Sequence, residues 1–81
     1  MTKEEAIELI LDELRKAEKK HPGWPVNVVY RAAILCEEAG EVVKEALDVS
    51  FGVGSMEKLK VELAQTGAMA IRNLIHLDGE K

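Results

Sequence analysis

Residues 28–52, VVYRAAILCEEAGEVVKEALDVSFG, pass from a nearly unbroken apolar segment into three carboxylates, Glu37, Glu38 and Glu41. No proline or strand-like alternation interrupts the stretch, so it reads as one helix from about Val26 to Val49 that follows the turn residue Pro25. At roughly 100° per residue the three acids fall within an arc of about 100°. Glu45 and Asp48 continue that face toward the C-terminus, whereas Tyr30, Ala33 and Ile34 occupy it one or two turns earlier. A face that runs from apolar to acidic suits the floor of a pocket whose lower part is buried. An exposed acidic stripe interleaved with Lys44 is the plainer reading of the same pattern.

Working outward, two further helices account for nearly all of the remaining chain. The first begins at Thr2, where TKEE spells a capping box between Thr2 and Glu5, and Ile7, Ile10, Leu11 and Leu14 follow at helical spacing. It ends at KKHPGWP, because Pro22 and Gly23 break a helix. SFGVGS is the next break, and Ser55 is the expected N-cap of a third helix, MEKLKVELAQTGAMAIRNLIHL, that stops near DGEK. With no strand pattern, repeat or low-complexity segment, the expected class is all-α.

The chain has 81 residues, one small domain, which is short of the size at which a single core is comfortably stable, so help from a partner chain is expected. Hydrophobic residues make up 47% and charged residues 32%, a globular composition. A net charge of −4 argues against a nucleic-acid polymer as the main ligand, because binding by counterion release needs a basic face. The single Cys36 excludes an intrachain disulfide, and neither Cys36 nor His21 has the neighbours of a zinc site. MTKEEAIELIL lacks the basic start of a targeting signal and no apolar run reaches membrane-spanning length, so a soluble, cytoplasmic protein is expected.

The third helix adds a second set of oxygen donors. Glu62, Gln65, Met69, Arg72, Asn73 and His76 share one side on a helical wheel, while Leu63, Ala64, Gly67, Ala68, Ile71, Leu74 and Ile75 share the other. Two antiparallel helices that each present such donors can surround a magnesium ion, a hard cation that takes oxygen ligands and keeps waters for phosphate oxygens to displace. Gly40, Gly67, Ala68 and Ala70 either let backbones approach closely or simply fill the core.

EEAGE, followed about twenty residues later by ELAQ, resembles the EExxE and ExxD motif pair of the all-α nucleoside triphosphate pyrophosphohydrolases. This MazG-like superfamily includes phosphoribosyl-ATP pyrophosphatases and dimeric dUTPases. The resemblance spans about two thirds of the chain, from PGWP to IRNL, and departs from the pattern at Gln65, where the family usually carries Asp. It implies an oligomeric helical bundle, a homodimer or homotetramer, with a site for a nucleotide substrate and Mg2+ or Mn2+. The metal ligands would be Glu38, Glu41, Glu62 and Gln65, whose amide oxygen can coordinate magnesium. Glu37 would be a further ligand or the base that orients water. The implied reaction is hydrolysis between the α and β phosphates, releasing a nucleoside monophosphate and pyrophosphate in the service of nucleotide-pool housecleaning.

Four residues carry weaker assignments to the substrate. Trp24 matches a tryptophan-bearing loop of the family and could stack on a base, or close the core between two helices. Arg72 and Asn73 lie about two turns beyond Gln65 and resemble substrate-proximal polar positions, or are surface residues past the core. Lys44 could meet a phosphate, or pair with an acid four residues away. A phosphoribosyl-ATP pyrophosphatase-like enzyme and a non-catalytic helical oligomerisation or binding module are the alternative functions.

Overall fold

A computed structural model describes residues 1–79. Three helices, α1 (Lys3–Lys20), α2 (Val28–Ser50) and α3 (Met56–Gly79), form the chain, and no strand occurs among the described residues. The Thr2 capping box forms as its sequence predicts. Thr2 Oγ1 accepts the Glu5 N–H at 3.0 Å, and Glu5 Oε1 accepts the Thr2 N–H at 2.7 Å. Acids in the first turn of α1 and Lys19 and Lys20 in its last turn both oppose the helix dipole.

The second helix starts two residues later than expected, because Asn27 is its cap. Asn27 Oδ1 accepts the N–H groups of Val29 and Tyr30 at 2.9 and 3.0 Å, which places Val26 in the preceding loop. Ser55 caps α3 through its Oγ, which accepts the Lys58 N–H at 3.2 Å. The α3 helix runs to Gly79, and the end of the expected stop signal lies outside the described residues.

Both α1 and α2 pack on α3, but they do not pack against each other. The core is correspondingly thin: Leu14, Ala68 and Met69, with Ile10, Leu11, Ala17, Trp24, Ile34, Leu35 and Ile71 packed around them. Gly67 lets α1 lie close on α3, since a Cβ there would come within 3.0 Å of Ile10 Cδ1. The two sides read for α3 need correction. Met69 and Arg72 are buried with Ala64 and Ala68, while Leu63, Leu74 and Ile75 from the expected apolar side are exposed. None of the described helices is long and apolar enough to cross a membrane.

Two buried polar residues, Arg31 and Glu45, and the half-buried Asn73 tie the helices together at their ends. Arg31, 1% exposed, donates through Nε to the Pro25 carbonyl and through Nη1 to the His76 carbonyl at 3.0 Å, so it joins the α1–α2 loop to the far end of α3. Asn73 Nδ2 donates to the Met69 carbonyl at 2.8 Å and to the Arg31 carbonyl at 3.4 Å. Glu45 is turned away from the acidic face that its spacing suggested. It is buried in the α2–α3 hairpin, where Oε2 accepts the Ser55 N–H at 2.8 Å and Oε1 lies 3.6 Å from Lys58 Nζ.

That hairpin reverses at Gly52, whose φ of 80° favours glycine, and the Asp48 carbonyl accepts the N–H groups of Val53 and Gly54. A Cβ on Gly54 would sit 2.6 Å from the Val49 backbone nitrogen and 2.7 Å from Glu45 Oε2. Gly54→Ala should therefore destabilise the fold by about 1–3 kcal/mol, as overpacking against atoms that cannot move aside does. Urea unfolding measures this, and a variant as stable as the wild type would contradict the tight hairpin.

Candidate functional site

The gap between α1 and α2 is a cleft of about 710 Å³ floored by α3. From α1 it is lined by Glu13, Lys16, Ala17 and Lys20, and from the following loop by His21, Gly23, Trp24 and Pro25. From α2 come Ile34, Glu37 and Glu38, and from α3 Gln65, Ala68, Met69 and Arg72. The charge in α2 thus has a place to go. Ile34 and Leu35 pack toward the core, and one turn later Glu37 and Glu38 emerge into the space that α1 leaves open.

Of the residues singled out in the sequence, the cleft gathers Trp24, Glu37, Glu38, Gln65 and Arg72. Glu41, Glu62, Lys44 and Asn73 are not among its lining residues. Glu41 and Lys44 are exposed, Glu62 is half-buried, and Asn73 uses its amide on backbone carbonyls. Tyr30 and Ala33, expected on the buried part of the floor, are exposed; only Ile34 fills that role.

The acids of both motifs nevertheless act on one another. Burial holds the Glu38 carboxyl above its usual range, and the negative charges of Glu62, Glu37 and Glu41 push it the same way. Glu62 comes from α3 and the others from α2, so the two motifs converge on Glu38. Among the described residues, no three histidine, cysteine or acidic side chains are drawn closely enough together to hold a metal ion. The donor set itself is all oxygen, four carboxylates and the Gln65 amide, and the mutual repulsion at Glu38 is what a divalent cation would relieve. In donor type and charge these residues fit magnesium or manganese.

Opposite the acids stands a cationic and aromatic wall. Arg72 is no surface residue: it is 3% exposed, its Nη2 donates to the His21 carbonyl at 2.7 Å, and its guanidinium lies 4.4 Å over the Trp24 ring. Trp24 also meets His76 at a ring distance of 6.1 Å. One face of the indole is therefore covered, and Trp24 helps close the core as well as lining the cleft. Two buried donors here, Trp24 Nε1 and Arg72 Nε, have no hydrogen-bond partner among the described residues.

The sequence reading passed over the α1 contribution, Glu13, Lys16 and Lys20. Its signal lies in the row Ile10, Glu13 and Ala17, where a carboxylate interrupts apolar residues at helical spacing. Glu13 is buried, with Lys16 Nζ at 3.2 Å and the Gln65 amide at 3.3 Å.

A carboxyl group held above its unfolded-state range binds its proton more tightly in the fold, so it opposes folding once pH rises through that range. Glu38→Gln should therefore raise the metal-free melting temperature at neutral pH. The gain should disappear as pH falls below the ordinary carboxylate range, where wild-type Glu38 is protonated in both states. Melts of the two proteins across pH measure this, and a variant that melts below the wild type at neutral pH would contradict it.

The chain matches no family model, no curated protein and no solved structure, which leaves the side chains of the cleft as the guide to its chemistry.

Proposed function

We propose that the protein is a magnesium-dependent nucleoside triphosphate pyrophosphohydrolase of the MazG-like type. The observation that carries this reading is the convergence of the two motifs on Glu38, whose proton affinity is raised by Glu62 from α3 and by Glu37 and Glu41 from α2. Glu38, Glu41, Glu62 and Gln65 would hold the cation, which when bound neutralises phosphate oxygens and lowers the pKa of a bound water. Water attacks the α phosphorus, the bond to the α–β bridging oxygen breaks, and pyrophosphate leaves with that oxygen. Glu37, on the cleft wall, takes the proton of the attacking water. Lys16 and Lys20 face the same space and suit the phosphate chain, and Trp24 and Arg72 close its other end.

A second reading, a helical module that binds without catalysis, is favoured by one observation: Gln65 directs its amide nitrogen to Glu13 instead of adding a charge to the site. A panel of nucleoside triphosphates and phosphoribosyl-ATP, assayed for pyrophosphate release with and without magnesium, separates the readings. The enzyme reading predicts magnesium-dependent release that Glu38→Gln and Glu41→Gln each reduce by at least about 100-fold, the scale on which acid–base and electrostatic contributions act. Full activity in both variants, or none in the wild type on any substrate, would contradict it.

The same account requires a second copy of the chain. Val29, Ala33, Cys36, Gly40, Val43 and Leu47 form one exposed stripe along α2 at heptad spacing, and a Cβ on Gly40 would meet nothing within 4 Å. On α3, Leu63, Leu74 and Leu77 share another exposed side. With Leu14, Ala64, Ala68 and Met69 as its buried apolar residues, the protomer covers too little to be stable alone, and pairing of α2 and α3 between copies in a homodimer or homotetramer covers these stripes. Sedimentation should show the oligomer at micromolar concentration, with Val43→Glu shifting it toward monomer or unfolding it. A folded wild-type monomer would contradict the pairing.

A further inference from the structure

The exposed stripe along α2 has two unlike edges. Within it, Val29, Cys36 and Val43 alternate with Ala33, Gly40 and Leu47, each row at heptad spacing and every member exposed. Ala32, Ala39 and Ala46 run along one edge, and Tyr30, Glu37 and Lys44 along the other, again seven residues apart. Among the described residues neither Glu37 nor Lys44 takes part in a hydrogen bond or an ion pair. Opposite charges therefore flank an apolar stripe with nothing in their own protomer to meet.

A second copy of the chain is the occupant that this pattern fits. A parallel α2 pair would lay the alanine edge of each helix against the charged edge of the other and leave Glu37 and Lys44 without partners. An antiparallel pair about a two-fold axis lays like edge on like edge. Alanine then meets alanine, which lets the backbones approach, and Glu37 meets the partner's Lys44, twice by symmetry. Sliding the pair by one heptad in either direction would set Glu37 against the partner's Glu37, or Lys44 against the partner's Lys44, so charge selects one register. In that register small side chains oppose large ones. Gly40, where a Cβ would meet nothing within 4 Å, faces the partner's Val43, and Cys36 faces the partner's Leu47.

We propose that α2 pairs antiparallel with α2 of a second copy in the register set by Glu37 and the partner's Lys44, so that each cleft receives a lysine from the other chain. This rests on the pairing of copies proposed above and names the contact that directs it. Glu37 lines the cleft and Lys44 of the same chain does not. A lysine that is exposed in its own protomer thus serves the acidic edge of the other protomer's cleft.

The test is oxidative crosslinking of the full-length chain, beside sedimentation. Leu47→Cys should form a covalent dimer in which Cys36 is bonded to the cysteine introduced at position 47 of the partner. The wild type should not crosslink, because in this register the two Cys36 side chains lie roughly 16 Å apart along the helix axis. Glu37→Lys and Lys44→Glu each set like charges opposite and should weaken self-association at least about 10-fold, whereas an equal mixture of the two variants should associate as tightly as the wild type. A disulfide in the wild type, none in Leu47→Cys, or single charge variants that associate like the wild type would overturn this inference and leave the pairing of copies standing. A wild type that sediments as a folded monomer would overturn both.

Discussion

Because α1 and α2 each pack on α3 and not on each other, the middle of α3 faces a gap that apolar side chains do not fill. That constraint organises the polar half of the molecule. Small residues on α3, Ala64, Gly67 and Ala68, bring α1 in close on one side. Arg31 and Asn73 hold α2 to α3 at one end, and the Glu45 hairpin holds them at the other. Between those fixed ends the acids of α2, the amide of Gln65 and the cations of α1 share one water-accessible space.

The two buried carboxylates show how differently a fold can treat the same group. Glu45 accepts a backbone N–H at the start of α3, a partner that the hairpin supplies whatever else is bound. Among the described residues, Glu13 meets an amide and an exposed lysine. Desolvation is tolerable at Glu45 because the helix terminus compensates it. At Glu38, with burial and three like charges acting on it, the compensation is incomplete, and both Glu13 and Glu38 line the cleft. Negative charge at Glu38 beside a cationic wall supports the proposed site for a cation and an anionic ligand together.

Periodicity and capping chemistry made the three helices legible: Thr2 and Ser55 cap as their side chains dictate, and Pro22 and Gly23 end α1 where they stand. The shared direction of Glu37 and Glu38 into one space was legible too, because residue spacing on a helix fixes direction. Which face meets which neighbour was not. Met69 and Arg72 looked like members of a polar side, yet the loop around Trp24 buries Arg72 and α1 covers Met69. Arg31, Glu13 and Glu45 gave little pattern, because a buried polar side chain is justified by a partner distant in sequence, such as Gln65 for Glu13 or His76 for Arg31. Exposed Val29, Val43 and Leu47 find no partner within one copy of the chain among the described residues, which is what the proposed pairing of copies would supply.

The central claim is that acids from α2 and α3 serve one divalent cation in the cleft, and paramagnetic broadening by manganese in nuclear magnetic resonance spectra tests it most directly. At substoichiometric manganese the account predicts that the first signals lost are the Gln65 side-chain amide and the backbone amides around Glu37, Glu38, Glu41 and Glu62, with the Trp24 indole N–H following. Loss spread evenly over exposed acids elsewhere, such as Glu4, Glu8 and Glu18 on α1, would contradict it.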